Sequence, residues 1–419
     1  MNDSKVWPVL RELNGAKIVL GICGSIAAYK AAYLVRELCA LGACVRVVMT
    51  QSALAFIQPL TFQALSGEEV RCEILDTQAE RAMGHIELAR WADYLVIAPA
   101  SADFIAKMAQ GRGDDLLSTL YLASRAPVIL CPAMNQNMWA HPATLANCEV
   151  LRERGVVFCG PEAGIQACGD TGLGRMVEPE AIVATLRLYP VHQLLKGREL
   201  LITAGATREA IDPVRYVSNH SSGKMGYALA QAAQVAGARV TLITGPCSLP
   251  VPWGVQSISV NSAQDMLTAV MTHLKPGILF IGAAAVADYR VVLPQTEKLK
   301  RHNQESMTLI LQKNPDILEA VVTSQQAALV VGFAAETHNV LNNAAEKLHA
   351  KQVDMIIANQ VGGGLGFDSD ENQVTVLTAK QQIPLALAPK ITLAGQIIVV
   401  IAQTLQNFVR SCDEPVYSN

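Results

Sequence analysis

The chain has 419 residues, enough for two or three domains that each bury a core. Hydrophobic residues make up 51% and aromatics 5%, a balance in which abundant Gly and Ala let helices pack closely on a sheet. The formal net charge is −3 with both signs interspersed, so neither a nucleic acid nor a membrane surface is expected as a partner.

Ten cysteines without a C-x-x-C pair predict a reducing, cytoplasmic setting rather than a disulfide framework. The opening MNDSKVWPVLRELNG lacks the apolar core of a signal peptide, and the apolar run 397–402 is too short to span a bilayer.

In chain order, residues 17–50 predict a strand (KIVLGIC), a Gly-Ser turn, a helix (IAAYKAAYLVRELCALGA) and a second strand (CVRVVMT). Further strands are predicted at 94–101, 127–134 and 156–160. Residues 199–245 repeat the pattern: a strand (ELLITAGAT), a long polar insert, a helix (KMGYALAQAAQVAGA) and a strand (RVTLITG). Strands at 278–289, 328–337 and 353–359 follow, then a hairpin across 373–387. The strands are β-branched or Leu-rich runs without clean alternation, which is the mark of strands covered on both faces. The fold class is therefore α/β, with two doubly wound, Rossmann-like sheets. The change-over is set between Lys196 and Gly197, giving domains 1–196 and 197–419.

Both halves place small residues at a strand-to-helix turn, where backbone N–H groups and the helix dipole favour a phosphate. Gly21-Ile22-Cys23-Gly24-Ser25 is not G-x-G-x-x-G, and the second strand ends at Thr50 where a ribose-binding carboxylate belongs. The second half ends in the same way at Thr244-Gly245. A two-domain NAD(P) oxidoreductase is thus disfavoured, while a single phosphate, as on FMN, fits. The plainer alternative is that these glycines only make tight turns.

Motifs at the expected strand ends go further. They are Gly24-Ser25-Ile26, G-H-I-E-L at 84–88, A-P-A-S-A-D at 98–103, P-A-M-N-Q-N-M-W at 132–139 and A-C-G-D-T-G-L-G-R-M at 167–176. Together they resemble the homo-oligomeric flavin-containing cysteine decarboxylases, and within them the phosphopantothenoylcysteine decarboxylases. The resemblance implies FMN as cofactor, with Gly24, Ser25 and Ile26 near its phosphate and Thr50, Ser101, Ala102, Asp103 and Ala133 around it. Ser101 and Asp103 stand where relatives often carry Thr and Asn. A lone His is more often solvated than catalytic, but the motif match assigns His85 acid/base work beside the flavin. Asn135 would bind the substrate carboxylate, its plainer role being a turn-former. Cys168 lies in a Gly-rich polar segment rather than an apolar run, and the resemblance makes it the proton donor to an enethiolate.

In the second half, the insert T-R-E-A-I-D-P-V-R-Y-V-S-N-H-S-S-G-K at 207–224 sets hydroxyls and bases before a helix, which suits an anion. With G-A-A-A-V-A-D-Y at 282–289, K-N-P-D-I at 313–317 and G-F-A-A-E-T at 332–337, it resembles phosphopantothenoylcysteine synthetase. The resemblance implies that CTP activates 4′-phosphopantothenate as an acyl cytidylate, from which cysteine displaces CMP. Lys298 would stabilise charge as pyrophosphate departs, a surface lysine being the plainer reading. Asn219 would hold the acyl end of the intermediate, with Arg215 also on the substrate. Nucleotide contacts would come from Gly282, Ala283, Ala284, Asp288, Asn314, Pro315, Asp316, Ile317 and Phe333. Lys347 and Lys351, four apart and so on one helix face, complete the set, with a solvated face as the competing reading. A magnesium ion is expected on the nucleotide phosphates, through protein ligands that the sequence does not identify.

A non-catalytic flavoprotein-fold regulator is the remaining alternative. It is weakened because His85, Asn135 and Cys168 are all present and a ligase-like half follows. The resemblance further implies a homo-oligomer, with trimers of the flavoprotein half, dimers of the ligase half and, combining both, a dodecamer.

Overall fold

The structure is a computed structural model, and it describes residues 13–74, 84–300, 307–336, 338–360 and 369–413. Thr337 of the G-F-A-A-E-T motif lies outside these residues. The chain divides into two compact units between Arg187 and Leu188.

In the first unit, β1 (Lys17–Ile22), β2 (Cys44–Met49), β3 (Tyr94–Ala100), β4 (Val128–Pro132) and β5 (Val157–Phe158) form one sheet in the order β2-β1-β3-β4-β5. All neighbours are parallel. Along β1, Ile18, Val19 and Leu20 are each 0% exposed. Successive side chains point to opposite faces, so full burial of all three requires helices on both. The helices are α1 (Ala28–Ala40), α2 (Pro59–Ser66), α3 (Gly84–Trp91), α4 (Ala102–Gln110), α5 (Leu116–Ala123), α6 (Gln136–Ala140), α7 (Pro142–Glu153) and α8 (Pro179–Leu188). On α1, Ala31, Leu34, Val35 and Leu38 form a buried stripe at helical spacing, and Tyr29 and Tyr33 stay exposed. Ser101 caps α4, its hydroxyl accepting the Phe104 N–H at 3.2 Å. A separate antiparallel hairpin, β6 (Glu162–Ile165) and β7 (Thr171–Arg175), carries Cys168 in its loop.

The second unit is built on β8 (Glu199–Ala204), β11 (Arg239–Thr244), β12 (Gln256–Ser259), β13 (Leu279–Gly282), β16 (Leu329–Glu336), β17 (Met355–Gln360), β18 (Glu371–Thr378) and β19 (Gln382–Pro389). Their order is β12-β11-β8-β13-β16-β17-β18-β19, parallel as far as β17. The last two strands run antiparallel and form the expected hairpin. One core packs α9 (Lys224–Val235) and α13 (Lys390–Asp413) on the sheet, around Leu229, Ile202 and Ile397. The other packs α10 (Ala263–His273), α11 (Ile317–Ser324) and α12 (Val340–Lys351), around Met266, Phe280 and Ile356. Two short hairpins, β9 (Arg208–Ala210) with β10 (Tyr216–Ser218) and β14 (Tyr289–Val291) with β15 (Leu311–Lys313), complete the unit.

One expected strand is shorter than its sequence pattern. The apolar run 278–289 leaves the sheet after Gly282 because its next N–H groups are taken by the end of β8 and the turn that follows. Ala283 donates to the Thr203 carbonyl at 3.1 Å, Ala285 to that of Gly205 at 2.8 Å, and Ala287 to the Thr207 hydroxyl at 3.0 Å. Residues 283–288 thereby become a wall of a cavity. Among the described residues, no helix is long and apolar enough to cross a membrane.

Candidate active sites

In the first sheet the strand order reverses between β1 and β3, and open α/β sheets bind ligands in the crevice at such a point. A cavity of about 650 Å³ lies there. Gly24, Ser25 and Ile26 after β1, Ser101 and Ala102 after β3, and Ala133 after β4 all line it. The Ser25 hydroxyl accepts the Ala27 N–H at 3.2 Å and shapes the turn. Asn135 and Cys168, far apart in sequence, meet at this cavity. Asn135 Nδ2 is 3.5 Å from Cys168 Sγ, 3.3 Å from Gln166 Oε1 and 3.2 Å from Asp170 Oδ2. Its Oδ1 accepts the Asn137 N–H at 2.9 Å, so Asn135 also caps α6. The hairpin is seated by the Met134 N–H, which donates to the Gly174 carbonyl at 2.9 Å. Cys168 itself is exposed.

The second sheet reverses its order between β8 and β13, and a cavity of about 200 Å³ opens there. Gly282, Ala284, Asp288, Asn314, Pro315, Asp316, Ile317, Phe333, Lys347 and Lys351 all line it. A second cavity of about 530 Å³ shares Ala284, Val286, Asp288, Phe333 and Lys347 with the first. It adds Ala283, Asn219 and the turn 220–223 before α9. Asn219 Nδ2 donates to the Val286 carbonyl at 3.0 Å. Asn314 is buried, donating to the Ala287 carbonyl at 2.8 Å and accepting from Arg290 at 3.1 Å. Asp316 caps α11 through the Glu319 N–H at 3.0 Å and accepts Lys351 Nζ at 2.8 Å. Burial alone would push the Asp316 carboxyl up, but Lys351 and the Glu319 N–H outweigh it and hold it below its ordinary value. Lys347 donates to the Phe333 carbonyl at 2.7 Å, and burial pushes its pKa below the usual lysine value.

Two family models match the chain: one described as Flavoprotein over residues 7–188, the other as DNA/pantothenate metabolism flavoprotein C-terminal domain over 195–405. The coenzyme A biosynthesis bifunctional protein CoaBC of Vibrio vulnificus is 51% identical over 399 residues, covering 94% of this chain and 99% of that protein. Its Escherichia coli K12 counterpart is 49% identical, covering 93% and 97%. The Bacillus subtilis counterpart is 44% identical, covering 89% and 94%. The chain belongs to the CoaBC family.

Not every residue named from the sequence stands at a cavity of this CoaBC family member. Thr50 is buried under the turn, with its hydroxyl 3.3 Å from the Ile22 carbonyl and 3.2 Å from Ser52, and it does not line the first cavity. Asp103 points to solvent, its side chain 78% exposed and 3.8 Å from Lys107. His85, in the first turn of α3, is absent from the lining as well. In the second unit, Lys298 is exposed and Arg215 is engaged with Asp212, and neither lines either cavity.

Sequence reasoning missed Lys30 at the first cavity and Thr203 and Lys390 at the other two. It gave no role to Met138 and Arg175, held only as motif letters, whereas Lys224, among the bases read before α9, does line a cavity. Lys30 had a signal: it lies four residues before Leu34 on the apolar stripe of α1, where a charge needs a partner. Its Nζ donates to the Met176 carbonyl at 2.8 Å and to Glu178 at 2.7 Å.

Proposed function

We propose that the second unit joins cysteine to 4′-phosphopantothenate with CTP, and that the first decarboxylates the product, 4′-phosphopantothenoylcysteine, to 4′-phosphopantetheine with FMN. The chain is a bifunctional enzyme of coenzyme A biosynthesis, a carboxy-lyase and an acid–amino-acid ligase in one polypeptide. The observation that carries the reading of the first unit is the approach of Asn135 to Cys168 within 3.5 Å over the switch-point cavity.

FMN fits the residues present. The turn Gly24-Ser25-Ile26 offers backbone donors to a phosphate, and Ile26, Met138 and Ile165, which are 61, 50 and 71% exposed, offer apolar contact to a flat ring. When bound, FMN would supply the oxidation of the cysteinyl thiol that gives the departing carboxylate an electron sink, and the later return of those electrons. Asn135 Nδ2 would hold the carboxylate until its C–C bond breaks. Cys168 Sγ–H would then deliver the proton that the enethiolate carbon requires, becoming a thiolate that solvent reprotonates. The exposed hairpin loop suits that last exchange.

In the second unit, a carboxylate oxygen of 4′-phosphopantothenate would attack the α-phosphorus of CTP, and the P–O bond to pyrophosphate breaks. The cysteine amine then attacks the acyl carbon, CMP leaves and the amine loses a proton. Such chemistry needs positive charge on developing oxyanions more than protein nucleophiles. Lys347 and Lys351 would bind the nucleotide, Asn219 would hold the acyl end, and Mg2+ would ride on the phosphates. His85, Lys298 and Arg215 would act across contacts between copies, the flavoprotein units forming trimers and the ligase units dimers. A cytoplasmic dodecamer closes both sets of contacts.

The test is to supply 4′-phosphopantothenate, cysteine and CTP, and to follow pyrophosphate and carbon dioxide separately. Both should appear, in equal amounts and dependent on all three substrates. Carbon dioxide without CTP consumption would sink the ligase half of the reading, and pyrophosphate without carbon dioxide the decarboxylase half.

A further inference from the structure

The insert between β8 and α9 carries a carboxylate that no step above uses. The Asp212 side chain is 0% exposed, and five donors converge on it. Its Oδ1 accepts the backbone N–H groups of Val214 and Arg215, each at 2.8 Å. Its Oδ2 accepts Arg215 Nε at 2.9 Å, Arg215 Nη2 at 2.5 Å and the Leu299 N–H at 3.1 Å. Burial alone would raise this carboxyl, but the donors outweigh it and hold the group well below the carboxylate range, ionised at any working pH.

The last of these donors lies 87 residues along the chain and is the immediate neighbour of Lys298. Arg215 Nη2 also donates to the Leu299 carbonyl at 2.7 Å, and the Gln295 N–H to the Ile211 carbonyl at 2.9 Å. The strap 295–299 is therefore stitched to the turn 211–215, with Asp212 at the crossing. A single buried carboxylate thus fixes the Arg215 side chain and, through the Leu299 N–H, the backbone beside Lys298, whose own side chain stays exposed. Left free, the Arg215 side chain and the strap would have to be ordered at the moment of reaction, at an entropic cost.

We propose that Asp212 is a positioning residue of the ligase reaction, holding Arg215 and the backbone beside Lys298 as one preformed cationic element for acyl-cytidylate formation. The proposal rests on the reading of Lys298 given above. A bond network that served only to close the turn would also show these distances. It would not, however, separate the two chemical steps.

Single-turnover measurements with radiolabelled CTP supply that separation. Asp212→Asn places an amide N–H among donors, so Arg215 and the strap should come loose. Acyl-cytidylate formation should slow about tenfold to a hundredfold, the order expected for a displaced electrostatic group. Cysteine transfer from cytidylate already formed should slow less, by only what the loosened Arg215 contributes to holding the substrate. In a Lys298→Gln background the same change should add less than its full effect on cytidylate formation, because part of it acts through Lys298. Trypsin should cut faster after Lys298 and Lys300, while decarboxylation by the first unit is unchanged. Wild-type cytidylate formation by a folded Asp212→Asn variant, or full multiplication of the two losses, overturns the proposal. If Asp212→Asn does not fold, Leu299→Pro carries the test: it deletes one donor and leaves Asp212 with Arg215. It too should slow cytidylate formation, and a wild-type rate overturns the proposal. A wild-type rate in Lys298→Gln alone would instead remove the reading of Lys298 and the proposal with it.

Discussion

Lys347 and Lys351 share one face of α12 and meet opposite surroundings. Lys351 is paired with Asp316 and Glu319, which raise its pKa, whereas Lys347 is desolvated against the Phe333 carbonyl and its pKa is lowered. If Lys347 binds a nucleotide phosphate as proposed, it does so in its protonated form. Nucleotide affinity should therefore fall as pH rises through the Lys347 value, which burial sets below that of an ordinary lysine. Titration calorimetry of CTP against pH should show this fall, with protons taken up on binding, and Lys347→Met should bind more weakly but without the fall. An unchanged pH profile in Lys347→Met would remove this lysine from the phosphate site. At the other site, Cys168→Ser should bind flavin and release carbon dioxide, yet stall before 4′-phosphopantetheine, because a weaker acid must protonate the enethiolate. Normal turnover by that variant would take Cys168 out of the mechanism.

Among the elements, the hairpin of β6 and β7 shows where a string of residues stops short of a shape. The run A-C-G-D-T-G-L-G-R-M was legible as chemistry, but its glycines carry no apolar alternation, so neither strand could be read from periodicity. The pairing is set by close approach instead. Gly174 holds φ +146°, and a Cβ there would be driven into the Met134 carbonyl. Gly174→Ala should lift the hairpin, with Gln166, Cys168 and Asp170, off Met134 and Asn135. It should lower 4′-phosphopantetheine formation tenfold or more while CTP-dependent ligation is kept. An alanine variant with wild-type decarboxylation would show that the hairpin's seat does not set the Asn135–Cys168 approach. By contrast β1, β3 and β4 were plain in the sequence, since continuous apolar runs need no tertiary information. The wall 283–288 and the strap 295–299 were not, because both depend on hydrogen bonds to residues about 80 or more positions earlier.

For the whole molecule, the stretch 188–196 decides where one folding unit gives way to the next. Read as sequence, 188–196 falls at the end of the first domain, the change-over being set between Lys196 and Gly197. In the structure Leu188, Val191 and Leu195 are 0, 0 and 1% exposed and sit in the core that also holds Leu200, Leu229 and Ile397. Burying a side chain of this size is worth about 1.5–3 kcal/mol. Losing all three removes an amount comparable to the ~5–15 kcal/mol that stabilises a typical domain. A ligase fragment starting at Leu188 should thus unfold at clearly higher urea concentration than one starting at Gly197, with a similar slope, and the shorter fragment should be prone to aggregate. The complementary fragment, ending at Arg187, should fold and turn yellow with FMN, since every described residue lining its cavity lies before that point. Equal urea midpoints for the two ligase fragments would show that residues 188–196 contribute nothing to the second core. A folded first fragment that stays colourless at saturating FMN would instead overturn the flavin assignment itself.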